Sequence, residues 1–196
     1  LILPPPPTTT PRASRRQRQM CIRDRFKYSP DRLSVFNTIH LRGNDMSTVE
    51  AICISKKKGI PKSAIEQATF QVGFGIVNDA HGGDWHRQIS LLAGESIDRV
   101  KKILPQLSQG AFAENIITRG LDLTTVAVGD RVQIGADIVL EITQLGKKCH
   151  DDGCAIKKAT GDCIMPREGI FAKVLQGGTA RPSDTIMLEP RNTTSE

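Results

Sequence analysis

The chain has 196 residues, 38% of them hydrophobic and 4% aromatic, enough for one domain whose core must come mostly from Val, Ile, Leu and Ala. The formal net charge of +6 invites a nucleic-acid reading, yet residues 1–45 hold nine Arg and Lys against three Asp, while 46–196 hold eighteen basic and eighteen acidic residues. The excess lies wholly in the tail, so the domain has no bulk basicity to grip nucleic acid, and no apolar run approaches the roughly 18 residues that cross a bilayer.

The tail reads differently from the rest. LILPPPPTTTP is low-complexity, and RASRRQRQMCIRDR is Arg-rich without helical or strand period. RQMCIRDR resembles translated sequencing-adaptor sequence. The expectation is a disordered or non-native tail over 1–45, a native start at Met46, a domain over 46–190 and a short tail over 191–196. A natural Arg-rich targeting extension is the alternative. Cys21 and His40 are set aside with the tail. The N-terminus has no apolar central block of a secretory signal, so a cytoplasmic protein is expected.

Residues 49–55 (VEAICIS) alternate and are rich in β-branched side chains, which predicts a first strand. Lys56, Lys57, Lys58 and Gly59 make a polar loop, and Pro61 begins a turn. Residues 68–77 (ATFQVGFGIV) are strand-like, interrupted by Gly73 and Gly75. Residues 78–85 form a loop, and 87–92 (RQISLL) another strand. Over 95–107, Ile97, Val100, Ile103 and Leu104 recur at helical spacing, with Pro105 near the end. A short strand is predicted over 112–118, closed by Gly120. GDRVQIG and ADIVLEITQL make two strands joined at Gly135–Ala136. A Cys-rich loop spans 146–161. Residues 166–175 read as a helix, with Pro166 in its first turn, and 183–188 as a last strand. Many short strands with two or three short helices predict a mainly-β fold, a compact barrel.

Four constellations carry polar chemistry. Asp79-Ala80-His81-Gly82-Gly83-Asp84-Trp85-His86-Arg87 places an imidazole and a guanidinium across a Gly-rich turn, and a guanidinium fork suits phosphate or carboxylate. The plain alternative is a polar turn with Asp79 capping a backbone amide and Arg87 paired with an acid. Phe112-Ala113-Glu114-Asn115-Ile116 sets an acid and an amide in an apolar strand; buried, they need partners. Lys147-Lys148-Cys149-His150-Asp151-Asp152-Gly153-Cys154, with Cys163 beyond, gathers three thiols near positive charge, which favours thiolate. Those thiols and His150 can also bind zinc, although the spacing departs from paired C-x2-C knuckles. An odd cysteine count of five in a chain expected inside the cell argues against a disulfide framework. Last, Arg167 near a predicted helix start can meet an anion or pair with Glu168.

Taken in order, the segments HGGDWHRQISLL, FAENIITRGLDL, VGDRVQIGADIVLEITQLGKKCH and GDCIMPREGIFAKVLQGG resemble the MOSC family, in particular its short stand-alone bacterial branch. The resemblance covers roughly residues 47–190. It implies a compact β-barrel and a cysteine after the E-x-T strand that accepts sulfur as a persulfide and passes it to a metal centre, or ligates molybdenum. Here that position falls on Cys149. Lys148 stands where the family has Pro, and a four-residue insert precedes Cys154, so either Cys149 or Cys154 can take the catalytic or metal-ligand role. His81, Arg87, Glu114, Asn115 and Arg167 would hold the molybdenum cofactor, a molybdopterin. The implied partners are a pyridoxal-phosphate-dependent cysteine desulfurase and molybdenum enzymes or cofactor-biosynthesis proteins, with neither nucleic acid nor membrane. Two other functions stay open: a molybdenum-dependent reductase component acting on N-hydroxylated compounds, and a non-catalytic module with a structural zinc at Cys149, His150, Cys154 and Cys163.

Overall fold

The computed structural model describes residues 46–148 and 155–191. Strands dominate it. β1 (Thr48–Ile54) is followed by β2 (Ser63–Ile65), β3 (Ala68–Gln71), β4 (Gly75–Ile76) and β5 (Ile89–Ala93). Then come α1 (Gly94–Lys101), β6 (Ile116–Arg119), β7 (Arg131–Ile134) and β8 (Ile138–Leu145). The chain closes with α2 (Ala155–Thr160), α3 (Met165–Glu168), β9 (Ile170–Gln176), β10 (Gly178–Ala180) and β11 (Ile186–Glu189).

Eight strands make one mixed sheet in the order β11-β7-β8-β9-β5-β6-β1-β2, and β10-β3-β4 make a second. The pair β5–β6 is parallel, with α1 as its crossover, and the other neighbours are antiparallel. Parallel strands must be joined by a crossover, which is why the apolar stripe of α1 lies over this pair. An isolated bridge between Thr48 and Thr185 ties the start of β1 back toward β11. The expected closed barrel is not formed among the described residues, and the large sheet keeps β11 and β2 as its two ends.

The central strands are buried on both faces, and the period of two explains how. In β5, Ile89 and Leu91 enter one cluster with Phe70, Ile76, Leu140 and Val174. Leu92 enters the other, with Ile97 of α1, Ile156, Met165 and Phe171. In β6, Ile116 and Ile117 divide in the same way. Aliphatic side chains supply most of both clusters, as the scarcity of aromatics requires.

Three expectations are corrected. The helix over 166–175 is a single turn, Met165–Glu168, and then the strand β9. Its IFAKVL run is too short to separate the two periods, and pairing with both β5 and β8 decides for strand. The helix over 95–107 stops at Lys101; beyond it Ile103 is 67% exposed. The strand over 112–118 begins only at Ile116, because Ala113 has a positive φ of 64° and Glu114 serves the loop before it. The strands β2 and β10 had no distinct sequence signal.

Candidate functional site

One end of the large sheet gathers the polar residues. The parallel strands β5 and β6 begin there and β1 ends there, and Phe171 of β9 pairs with Ser90 near the start of β5. Polar chain between these ends has unpaired backbone groups, and side chains satisfy them.

Asp79 is the hub. Its Oδ1 accepts the Ser55 amide N–H at 3.0 Å, so the capping role foreseen for it is real. Its Oδ2 accepts Lys62 Nζ at 2.7 Å and Asn115 Nδ2 at 3.1 Å. The side chains of Lys62 and Asp79 are 1% and 0% exposed. Burial pushes the Asp79 carboxyl up, but Lys62, the Ser55 amide and the Asn115 amide outweigh it and bring it below its ordinary value. Burial also makes the Lys62 proton easier to lose than that of an exposed lysine. We take the pair as charged at neutral pH, because the 2.7 Å contact meets a carboxylate held ionised by three donors.

Asn115 joins three strands. Its Nδ2 also donates to the Cys53 carbonyl at 3.1 Å, and its Oδ1 accepts the Ser90 amide at 3.1 Å. Glu114 is wholly buried and turns the other way: Oε1 accepts the Gly110 amide at 2.7 Å and Oε2 the Phe112 amide at 2.9 Å. Burial raises its pKa against the pull of those amides. Glu114 therefore shapes the loop that presents Ala113 and Asn115, and reaches no other predicted site residue directly. Cys53 lies in the same interior; burial and then the Glu114 charge push its thiol up to about 12, so it stays protonated.

Above this network opens a cavity of about 160 Å³. Lys62, His81, Arg87, Asn115, Lys147 and Lys148 line it with the rings of Trp85 and Phe171, and among the described residues no carboxylate does. Arg87 Cζ stands 4.9 Å from the Trp85 ring centre and 5.7 Å from that of Phe171. Such cation–π contact contributes about 0.5–2 kcal/mol. Arg87 Nε is buried without a hydrogen-bond partner, as is His81 Nδ1. Arg87 makes no ion pair with an acid among the described residues, contrary to the plainer reading of its turn. Trp85 is itself held, its Nε1–H donating to the His81 carbonyl at 2.9 Å. The turn can fold this tightly because residue 82 is glycine: a Cβ there would stand 2.4 Å from the Phe74 ring. Burial, and after it the Lys62 charge, hold the His81 pKa below its ordinary value, with Asp79 pulling the other way. The imidazole is therefore neutral at pH 7.

His81, Arg87 and Asn115 are thus brought together, and Lys62, Trp85 and Phe171 join them. Lys62 gave no local signal, because its partner lies 17 residues away. Arg167 lies elsewhere. Its Nη1 and Nη2 grip Asp162 at 2.9 and 2.5 Å, while Glu168 pairs with Arg99 at 2.6 Å. It borders a second, largely aliphatic cavity of about 560 Å³. Cys149, His150 and Cys154 lie outside the described residues, so the persulfide, molybdenum-ligand and zinc assignments rest on sequence. Among the described residues no group of three or more His, Cys, Asp or Glu is placed to hold a metal, and no helix is long and apolar enough to cross a membrane.

The arrangement is that of a small mainly-β domain with an anion-seeking pocket at one sheet end. A model of the MOSC domain matches residues 78–187, and the chain belongs to that family. Its fold resembles the YUAD protein of Bacillus subtilis, at TM-score 0.62 and 19% identity over 74% of this chain and 97% of that one. It also resembles YiiM of Geobacillus stearothermophilus, at TM-score 0.56 and 18% identity over 76% and 77%. YiiM of Escherichia coli matches at TM-score 0.50 and 16% identity over 74% and 70%. No curated protein matches the chain.

Proposed function

We propose that this domain carries sulfur to, or ligates, a molybdenum–pterin centre through Cys149. The observation that carries the reading is Arg87: a guanidinium 4.9 Å from the Trp85 and 5.7 Å from the Phe171 ring centre, without an acidic partner among the described residues, in a pocket whose other charged walls there are Lys62, Lys147 and Lys148. A half-buried cation without a counter-ion is costly, and a bound anion removes the cost. The cofactor's phosphate is such an anion. The volume of about 160 Å³ suits one charged end of a ligand rather than a whole drug-sized molecule.

In this reading Arg87 and Lys62 hold the phosphate, with His81 as a neutral hydrogen-bonding neighbour. When bound, the group supplies a metal centre able to take sulfur. Asn115 and Glu114 position the pocket from behind. Cys149 follows Lys148 directly in the sequence, and the two adjacent lysines favour its thiolate. That thiolate attacks the outer sulfur of a donor persulfide. The donor S–S bond breaks, a new S–S bond forms on Cys149, and the donor leaves as a thiolate with no net change in oxidation state. A pyridoxal-phosphate-dependent cysteine desulfurase would supply the persulfide, and molybdenum enzymes or cofactor-biosynthesis proteins would receive the sulfur in the cytoplasm. Cys154 is the alternative thiol.

Incubation with a donor persulfide followed by intact-mass measurement tests this. The parent should gain one sulfur atom, and Cys149→Ser should not, while both keep the same far-UV circular dichroism. Loading of Cys149→Ser equal to the parent would move the role to Cys154 or end the reading. A second reading, a reductase component acting on N-hydroxylated compounds, draws on the cavity of about 560 Å³ beside Arg167, which has room for a substrate. It needs electrons from a partner.

A further inference from the structure

Beyond the pocket wall, positive charge continues. Lys56, Lys57 and Lys58 follow β1 and are all exposed, as is Lys148, which lines the pocket. None of them, nor Lys147, has an ion-pair or hydrogen-bond partner through its side chain among the described residues. Elsewhere on the domain Arg99, Arg119, Arg167 and Lys173 are each paired with carboxylates. A lysine run is ordinarily a solvated loop, but this one is fastened to the site. Ser55, just before it, donates its amide to Asp79 and accepts the Ala80 amide at 2.7 Å, and its Oγ donates to the Lys57 carbonyl at 3.0 Å. The charges of Lys58 and Lys147 both act on His81. Yet residues 46–196 are neutral in sum, so this is a local field rather than general basicity. That neutrality argues against nucleic acid.

We propose that Lys56, Lys57 and Lys58, together with Lys147 and Lys148, form a docking rim for an acidic protein surface, the one that delivers sulfur to Cys149. This rests on the sulfur-carrier reading above. The rim exceeds what a ligand in a cavity of about 160 Å³ can contact, and a sulfur donor must bring its own cysteine to Cys149, the residue that follows Lys148 in the sequence. Complementary charge of this kind raises the rate of productive encounter by about 10-fold or more at low salt and is screened away at high salt.

Two synthetic probes separate the rim from the chemistry. One is a Glu-rich peptide bearing a single cysteine persulfide, and the other is a small uncharged alkyl persulfide. Sulfur loading of the parent is followed by intact mass at low and high ionic strength, beside the Lys56→Gln/Lys57→Gln/Lys58→Gln variant. Lys147 and Lys148 are left in place because they adjoin the thiol. The expected result is about 10-fold faster loading from the acidic peptide at low salt, lost at high salt and lost in the triple variant, with the uncharged probe unaffected in all cases. Loading by both probes at equal rates, or an acidic advantage that survives the triple substitution, overturns the docking rim and leaves the sulfur-carrier reading intact. Failure of both probes to load any thiol overturns both. A triple variant slowed equally for both probes also overturns the rim, since the lysines would then act on the thiol itself.

Discussion

Removing the carboxylate of Asp79 should cost the domain far more than an ordinary polar substitution. Asp79→Ala deletes the acceptor for Ser55, Lys62 and Asn115 together, and leaves the Lys62 ammonium 1% exposed without its counter-ion. Losing one partner of a buried pair costs about 3–5 kcal/mol, mostly because the other charge stays buried. Against a total stability of about 5–15 kcal/mol that is a large share. With a urea slope near 2 kcal/mol per molar, the midpoint should fall by about 2 M. The companion is Asp79→Leu/Lys62→Met, which removes both charges. It should be more stable than Asp79→Ala, because a pair replaced by apolar groups leaves no orphan. Urea unfolding followed by far-UV circular dichroism measures all three proteins. A loss under about 1 kcal/mol for Asp79→Ala, or a double variant weaker than the single, would refute the account of this pair as a charged, desolvated hub.

The pocket's acid–base behaviour follows from the same contacts. The Asp79 carboxyl lies below its ordinary 3.8, so its stabilisation is present above that pH and is lost as pH falls through the lower folded value; acid titration of the parent beside Asp79→Asn should show this difference. His81 should titrate below 6.5 by NMR, and Lys62→Met should move its midpoint up by removing a like charge. Arg87→Met should weaken binding of inorganic pyrophosphate by about 10- to 100-fold in calorimetry, with Arg87→Lys restoring little because a lysine lacks the planar fork; full affinity in the Met variant would remove Arg87 from the site. Gly146→Ala should lower the melting temperature by several degrees, about 2 kcal/mol or more, because φ is +63° and the new Cβ would stand 2.2 Å from the Pro166 carbonyl oxygen.

What could be read from sequence divides along physical lines. The alternation of VEAICIS and the pair GDRVQIG and ADIVLEITQL specify strands through side-chain period alone, and the structure places β1, β7 and β8 there. IFAKVL could not be decided locally, since six apolar-rich residues fit either period until the neighbours β5 and β8 are known. His81, Arg87 and Asn115 were visible because polar side chains in Gly-rich or apolar surroundings stand out, and they do meet. Lys62 was hidden: a lysine after Pro61 looks like any turn residue, and only the fold sinks it against Asp79. Arg167 misled for the opposite reason. It sits at a helix start as expected, but that helix is one turn long and Asp162 already holds the guanidinium.

The chain contains one tryptophan, and it stands at the mouth of the pocket, 37% exposed, against Arg87. The protein's indole emission therefore originates from a single spot. Its colour and intensity report the arginine beside the ring, so an anion drawn to that arginine should change the signal without any added label. The same placement means that a thermal or denaturant scan read by emission follows the opening of this turn, while the far-ultraviolet signal of the strands times the β-core separately.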